Sequence, residues 1–527
     1  MRITIILLSA LLAAAGSMNA QVLIPDFVVN NAGANIKGVW GPKIAAAPDG
    51  RFAVAWQDYN EYNIPAPEIP RIVVQLFSAD GSPAGPAALF QGESRNLSIW
   101  TSDFLENVDL GFTPDGTLLV AVEHEGRLSI GIDDVGSAET GIGALNRGGE
   151  ILDLSNGNGV IYWMIDTKTK YQEHPRLAVS PAGDFYLTAY GPSYDTNYSA
   201  VLIQAFDASG NTVGDPVNPH ASGSSPSAHH RMPDITSNGE LILVAWQDGR
   251  ADSNYDITAQ FFTTQGAALG TNLSVNRDDP AGTYNVLPSA AMNRSGESVI
   301  VWADTRTGFN GDIWGQRFDA SGSPVGGNFQ VSAGSGEIYY RPEVAMLDDG
   351  RFMVVWTDSS SVPGQFRARG RQFSAGGAAL GPPFVLPSAD TGSGLPDVEA
   401  SGNAYLVTWI DDRAGQSHVY AKKIGLSTST GRHAVAVALP SELTLAPVYP
   451  NPFNDSAVLE FNLPISGSTV LRIFNPLGQM AGELVNDELE AGLHRVTLNA
   501  RNLSSGIYFT QLQQGPEIRT QRFVLLR

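Results

Sequence analysis

The chain contains no cysteine. Disulfides, thiolate metal centres and a lipid-bearing cysteine are all excluded, so the folded protein rests on its core alone. Charge is scarce as well: Asp, Glu, Lys and Arg make up 16% of the 527 residues, with 32 basic against 53 acidic. The net charge of −21 repels phosphate backbones and no Lys/Arg stripe offsets it, which argues against nucleic acid as a partner. The eight histidines are scattered, and HExxH, GxSxG and phosphate-loop motifs are missing, so no catalytic constellation stands out. Only one apolar run is long enough to notice. It extends from Ile3 to Ala15 after Met1-Arg2 and leads into small and polar residues up to Ala20. That is the order of a secretory signal over residues 1–20, cleaved after Ala20. The run is too short to cross a bilayer as a mature helix, so no membrane span is expected once it is removed.

Glycine and proline are abundant, at 56 and 32 residues, as in all-β chains with many tight turns. A length of 527 residues also exceeds one ordinary core, so at least two units are expected. One pattern recurs seven times. Its clearest copy, RPEVAMLDDGRFMVVWTD from Arg341 to Asp358, is an alternating strand, an Asp-Gly turn and a second alternating strand ending in Trp-x-Asp. The closing positions are Trp56, Val122, Tyr190, Trp246, Trp302, Trp356 and Trp409, spaced 66, 68, 56, 56, 54 and 53 residues apart. A further pair of short strands follows in most copies, as in DIWGQRFDASGSPVGGNFQVS from Asp312. Four short strands repeated seven times predict a seven-bladed β-propeller over residues 21–424. The last repeat lacks a fourth strand, while Phe27 to Asn30 looks like one yet precedes every repeat. A ring closed by its N-terminal strand accounts for both. The tryptophans are expected between blades.

Residues 425–445 read as a linker, and 446–527 as a small β-sandwich. Five separated motifs mark this unit: Tyr449-Pro450-Asn451-Pro452-Phe453-Asn454, a turn at Gly478, Gly492 in Ala-Gly-Leu-His, Ser505-Gly506-Ile507-Tyr508-Phe509, and a basic-apolar ending at Arg527. Together they resemble the type A C-terminal sorting domain of type IX secretion cargo. The resemblance implies a secreted or outer-surface protein and an outer-membrane translocon as partner.

By strand alternation the tight turns lie at one end of the ring and the long connections at the other. Those connections carry Trp40, Tyr59, Tyr62, Tyr194, Tyr198, Tyr255, Tyr284 and Tyr340, along with Trp100, Phe309 and Tyr339. Rigid amphipathic rings beside Asp, Asn and Arg are the surface a saccharide or other extracellular polymer would meet. Loops with Asp-x-Arg (Asp248 and Arg250, Asp304 and Arg306, Asp411 and Arg413) read as exposed ion pairs holding each blade. Asp252, Asn254 and Asp256 have a calcium-loop composition, but Ile257 stands where an EF-hand needs glycine. No cofactor is expected, and calcium is the cation these loops could take. His229 and His230, in a Ser/Pro-rich loop, are expected in solvent. A non-catalytic binding propeller is the first reading, with extracellular polysaccharide or protein as ligand. A secreted glycoside hydrolase or polysaccharide lyase on the same face is the second, and a structural surface-layer component the third.

Overall fold

A computed structural model of the chain describes residues 20–526 apart from connecting stretches, the longest of which are 61–70, 91–100, 153–159, 164–172, 221–228, 359–365 and 427–442. The expected signal segment therefore falls, but for Ala20, outside the described residues. No helix occurs among them, so the all-β expectation holds. The chain divides into two compact units, Met1–Thr428 and Ser429–Arg527.

Among the described residues the first unit has seven sheets in chain order, six with four strands and the second with five. Each arises locally from hairpins like the one around Asp349-Gly350. There the Gly350 N–H donates to the Leu347 carbonyl at 2.9 Å and the Leu347 N–H to the Arg351 carbonyl at 2.8 Å. Gly350 has φ +82°, and an added Cβ would lie 3.1 Å from the Ala375 Cβ, so both the turn and the next hairpin require glycine.

Alternation along the second strands assigns their faces. In Phe352–Asp358, Phe352, Val354 and Trp356 pack with Val299, Val301 and Ile313 of the preceding sheet. Met353 and Val355 pack with Val398, Val407 and Trp409 of the following one. Seven such clusters join the first sheet to the second and so on around, and the last sets Leu406 and Val419 of the seventh sheet against Phe52 and Trp56 of the first. The chain of contacts closes on itself because every sheet is apolar on both faces and each face needs a neighbour.

The seventh sheet takes its outer strand from the N-terminus. Ala20–Val28 pairs antiparallel with His418–Leu426, and the Asn30 Oδ1 accepts the Val419 N–H at 2.9 Å. Asn276 does the same for Ile257 at 2.9 Å and Ser332 for Ile313 at 3.0 Å. A polar side chain just past each of these outer strands caps the neighbouring strand, and the N-terminal strand carries the same device.

The tryptophans lie between sheets: Trp246, Trp302, Trp356 and Trp409 are fully buried. Two expectations change. Asp304 and Asp411, taken as surface partners of Arg306 and Arg413, are 1% and 0% exposed. Each accepts from the indole two residues earlier, at 3.3 Å from Trp302 and 3.2 Å from Trp409, as well as from its arginine at 2.7 and 2.9 Å. Arg306 and Arg413 in turn cover Trp314 and Tyr420. His230 is not in solvent either. It is 2% exposed and stacks on His220 with ring centroids 3.6 Å apart, because the strand His230–Ser237 already begins there.

In the second unit, a three-stranded sheet and a four-stranded sheet share one core. Leu459, Phe461 and Leu498 of the first meet Leu471, Ile473, Leu512 and Phe523 of the second. Of the stretch expected as linker, residues 427–442 lie outside the described residues. The strand His418–Leu426 enters it at one end, and Leu443 and Leu445 are buried in the second core at the other.

Candidate functional site

The first strands of the seven sheets surround a channel, and three tiers of residues line it at two-residue steps. The middle tier is Lys43, Asp109, Arg176, Asp234, Ser289, Glu343 and Asp397, one per sheet. Towards the tight turns the next tier is small except for Glu399, and the cavity between measures about 300 Å³. Towards the long connections lie Gly41, Asn107, His174, Met232, Leu287, Arg341 and Leu395. Six of these seven, all but Arg341, hold positive φ, from 37° to 57°. Each sits at a bulge where the first strand shifts register before the channel residue. Left-handed backbone at Met, Leu and His is strained and is maintained only where packing imposes it. Here the bulge turns the following residue into the channel.

The middle tier explains its own residue types. The Asp397 Oδ2 accepts the Ile44 N–H at 2.8 Å, Asp109 the Leu177 N–H at 2.8 Å, Asp234 the Ala290 N–H at 2.7 Å and Ser289 the Val344 N–H at 3.2 Å. Each bond ties one sheet to the next. The two cations bridge across: Lys43 Nζ lies 2.6 Å from Glu343 and 3.1 Å from Asp397, while Arg176 lies 3.0 Å from Glu343 and 3.5 Å from Asp234. Burial works to raise the Glu343 carboxyl, but Arg176 and Lys43 outweigh it and hold it at about 2. Asp234 and Asp397, with smaller shares of the same two cations, are pushed by burial up to about 6. Burial, then Asp397, moves the Glu399 carboxyl to about 8.

Above this tier a second cavity of about 240 Å³ opens on the long-connection side, lined by Trp40, Gln57, Asn107, His174, Arg341 and Leu395 over Lys43, Arg176 and Glu343. Trp40 is 48% exposed. Arg341 Nη2 donates to His174 Nδ1 at 2.7 Å, which leaves the ring proton on Nε2. Burial, with Arg341 and Arg176 close by, lowers the His174 pKa to about 3, so the ring is neutral at physiological pH.

Of the aromatic residues expected as a binding surface, Trp40 alone lines this cavity among the described residues. Tyr59 and Tyr340 are placed by backbone only, extending strands opposite Gly38 and Thr357. Tyr255 and Tyr284 come together elsewhere: the Asn285 N–H donates to the Tyr255 carbonyl at 3.0 Å, and Tyr284 is 46% exposed. Tyr62, Tyr194 and Tyr198 lie outside the described residues, as do Asp252 and Asn254. Asp256 accepts from Asn276 Nδ2 at 2.9 Å. No group of three or more His, Asp or Glu among the described residues is arranged to hold a metal ion. The seven channel residues were missed by sequence reasoning, although a signal exists: in six of the repeats a charged or hydroxyl residue follows a proline, as in Pro42-Lys43 and Pro396-Asp397.

In the second unit the entry motif and the last strand hold each other. The Asn451 side chain accepts the Val524 N–H at 2.9 Å and donates to the Arg522 carbonyl at 3.3 Å. The Phe453 N–H donates to Val524 at 3.2 Å and its carbonyl accepts Leu526 at 2.8 Å, with its ring in the core 5.6 Å from Phe523. Residues 447–526 match the family model described as the secretion system C-terminal sorting domain. The second unit is that sorting domain. It marks the protein for type IX export to the cell surface or extracellular space, with the secretion machinery as its partner. In the sorting domain Gly478 closes the turn at Asn475 with φ +76°, Gly492 opens the strand opposite Leu463, and Tyr508, next after Gly506 and Ile507, donates its hydroxyl to the Ser504 carbonyl at 2.9 Å. Tyr449, Pro450 and Pro452 lie outside the described residues, and Asn454 is exposed.

No curated protein matches the chain. Among solved structures, a protein of unknown function from Dyadobacter fermentans is 13% identical, covering 77% of this chain and 99% of its own, with TM-score 0.44. A PL25 ulvan lyase, solved with -[GlcA(1-4)Rha3S]-, is 14% identical over 75% and 97%, with TM-score 0.43. The α-L-arabinofuranosidase Arb93A of Fusarium graminearum is 14% identical over 60% and 92%, with TM-score 0.39. Superpositions this loose assign neither an activity nor a site to this chain.

Proposed function

We propose that residues 21–424 form a seven-bladed β-propeller closed by the N-terminal strand, exported behind a signal peptide at 1–20 and carried by a β-sandwich sorting domain at 446–527. Its role is non-catalytic binding of a saccharide or other extracellular polymer at the long-connection end. The observation that carries this reading is the mouth cavity, where the exposed Trp40 indole stands beside His174, Asn107 and Arg341. An aromatic face next to fixed polar groups is how a sugar ring's apolar face and hydroxyls are met together. Tyr59, Tyr62, Tyr194, Tyr198, Tyr255, Tyr284 and Tyr340 extend this surface along a polymer. Catalysis finds little support in the same cavity. His174 offers a proton donor rather than a base, and three channel acids are committed to backbone N–H groups. A polysaccharide array scored for both retention and reducing-end release is the test. Retention without release is expected. Release would turn the reading to a hydrolase or lyase, and no retention would end it.

A further inference from the structure

We propose that Lys43 and Asp397 condense into an amide, a covalent tie between the first and seventh sheets of the ring. Three side chains of the middle tier carry it, independently of any saccharide. Lys43 Nζ lies 3.1 Å from Asp397 Oδ1 and 2.6 Å from Glu343 Oε1, and the side chains of Lys43, Asp397 and Glu343 are 12%, 10% and 9% exposed. Reactants held in contact in this way escape the entropic cost of meeting, a large share of the barrier to joining an acid and an amine. The two oxygens of Asp397 have separate tasks. Oδ2 accepts the Ile44 N–H at 2.8 Å, so charge developing on it during attack meets a fixed donor. Oδ1 faces the ammonium and is the oxygen that departs. Glu343, with Arg176 3.0 Å away, is within reach of Nζ to carry a proton.

Ammonium plus carboxylate hold the same protons as amine plus carboxylic acid, so the reactive pair needs only one transfer, from Nζ to Oδ1. Burial brings the Asp397 carboxyl up to about 6 and so eases that transfer. Burial and Arg176 also work to lower Lys43, but Asp397 and Glu343 outweigh them and keep the ammonium protonated, which makes the step slow. It has to occur only once in each molecule. Nζ then bonds to the Asp397 side-chain carbonyl carbon. Glu343 takes the second proton from the adduct nitrogen and passes it to the Oδ1 hydroxyl, and one water leaves as the bond from carbon to Oδ1 breaks. Atoms and charges balance with no other reagent. The product keeps the Ile44 hydrogen bond on its carbonyl oxygen, and Glu343 keeps Arg176, so no buried charge of the trio loses its partner. The link joins positions 354 residues apart in a chain that has no cysteine for a disulfide.

The test is the intact mass of the purified full chain, followed over days after synthesis, with peptide mapping by tandem mass spectrometry. The folded wild type should become one water lighter than its mature sequence, and the loss should map to a branched peptide that joins Lys43 to Asp397. A succinimide at an Asp-Gly turn also removes one water, so the mapping decides between them. K43R keeps a cation beside both acids and should stay at full mass. E343Q, which cannot take up the proton, should slow formation of the branched peptide at least about tenfold. A wild type that is folded and stays at full mass overturns the proposal, whether or not the variants fold. So does a loss that maps only to a turn, or one that persists unchanged in K43R. An amide that forms in E343Q at the wild-type rate overturns the part given to Glu343.

Discussion

Asp397 shows how much one carboxylate can carry in this ring. It holds the Ile44 backbone of the first sheet and the Lys43 ammonium at once, at the junction where the last sheet meets the first. Replacing it by Ala leaves a buried lysine short of one partner and an amide short of its acceptor, at a cost of about 3–5 kcal/mol. D397N keeps an acceptor for Ile44 and should lose less; chemical denaturation of both variants checks the order. Glu399 acts in the opposite sense. Its folded pKa of about 8 lies above the ordinary carboxyl value of 4.5. The folded state thus holds its proton more tightly, so the stability it contributes is full below pH 4.5 and is lost as pH rises through 8. E399Q should melt with the wild type near pH 4.5 and above it at pH 9. A variant that melts lower at pH 9 would show the carboxylate to be stabilising. His174 carries the reverse sign for a base: with its pKa lowered from 6.5 to about 3, it favours folding above pH 6.5 and withdraws that support on acidification. The proposed binding role of Trp40, 48% exposed at the mouth, can be tested directly. W40A should weaken polymer binding at least about tenfold with no shift in melting temperature, and the triple change of Tyr255, Tyr284 and Tyr340 to Ala should do the same if the surface extends that far.

At the scale of elements, the outer strand Ala20–Val28 is the most exposed dependency of the first unit. It covers the edge of His418–Leu426 and sends Phe27 onto Phe52 and Phe77, with ring centroids at 6.4 and 5.4 Å. Removing residues 21–31 uncovers that edge and the aromatic cluster beneath it, and an open edge recruits other chains. Size-exclusion chromatography should show aggregation; a monomer with an unchanged melting point would mean that the strand is dispensable. The sorting domain has a parallel arrangement, since its entry segment at Asn451 and Phe453 covers the edge of Glu517–Leu525. F453A removes a ring that is 5% exposed and should lower the stability of this domain by about 3–5 kcal/mol.

For the molecule as a whole, the export signal resides in the second unit and the proposed recognition in the first. Deleting 446–527 should strand the protein in the periplasm of a type IX-competent host while the ring still folds. Normal surface or medium levels of the truncated chain would contradict the sorting role. Much of this organisation is already readable from the chain. Asp-Gly turns, period-two alternation and seven closing positions set the strand order, because turn dihedrals and pleat are local physics. The sorting motifs are equally visible, being short and tied to backbone demands such as the turn at Gly478. The channel is not visible in the same way. Lys43, Arg176 and Glu343 are 300 and 167 residues from their partners, and along the chain each is merely a polar residue after a proline. Only closure of the ring brings them together, and only burial turns them into a charged tier with shifted proton affinities. The aromatic residues make the same point from the other side: the chain order assigns them to long connections, but which of them reaches the mouth depends on how each connection packs, and among the described ones Trp40 stands apart. Local backbone preference determined the strands, the turns and the export signal. The tertiary structure decided the site, because the forces that build it act across sheets that the sequence keeps far apart.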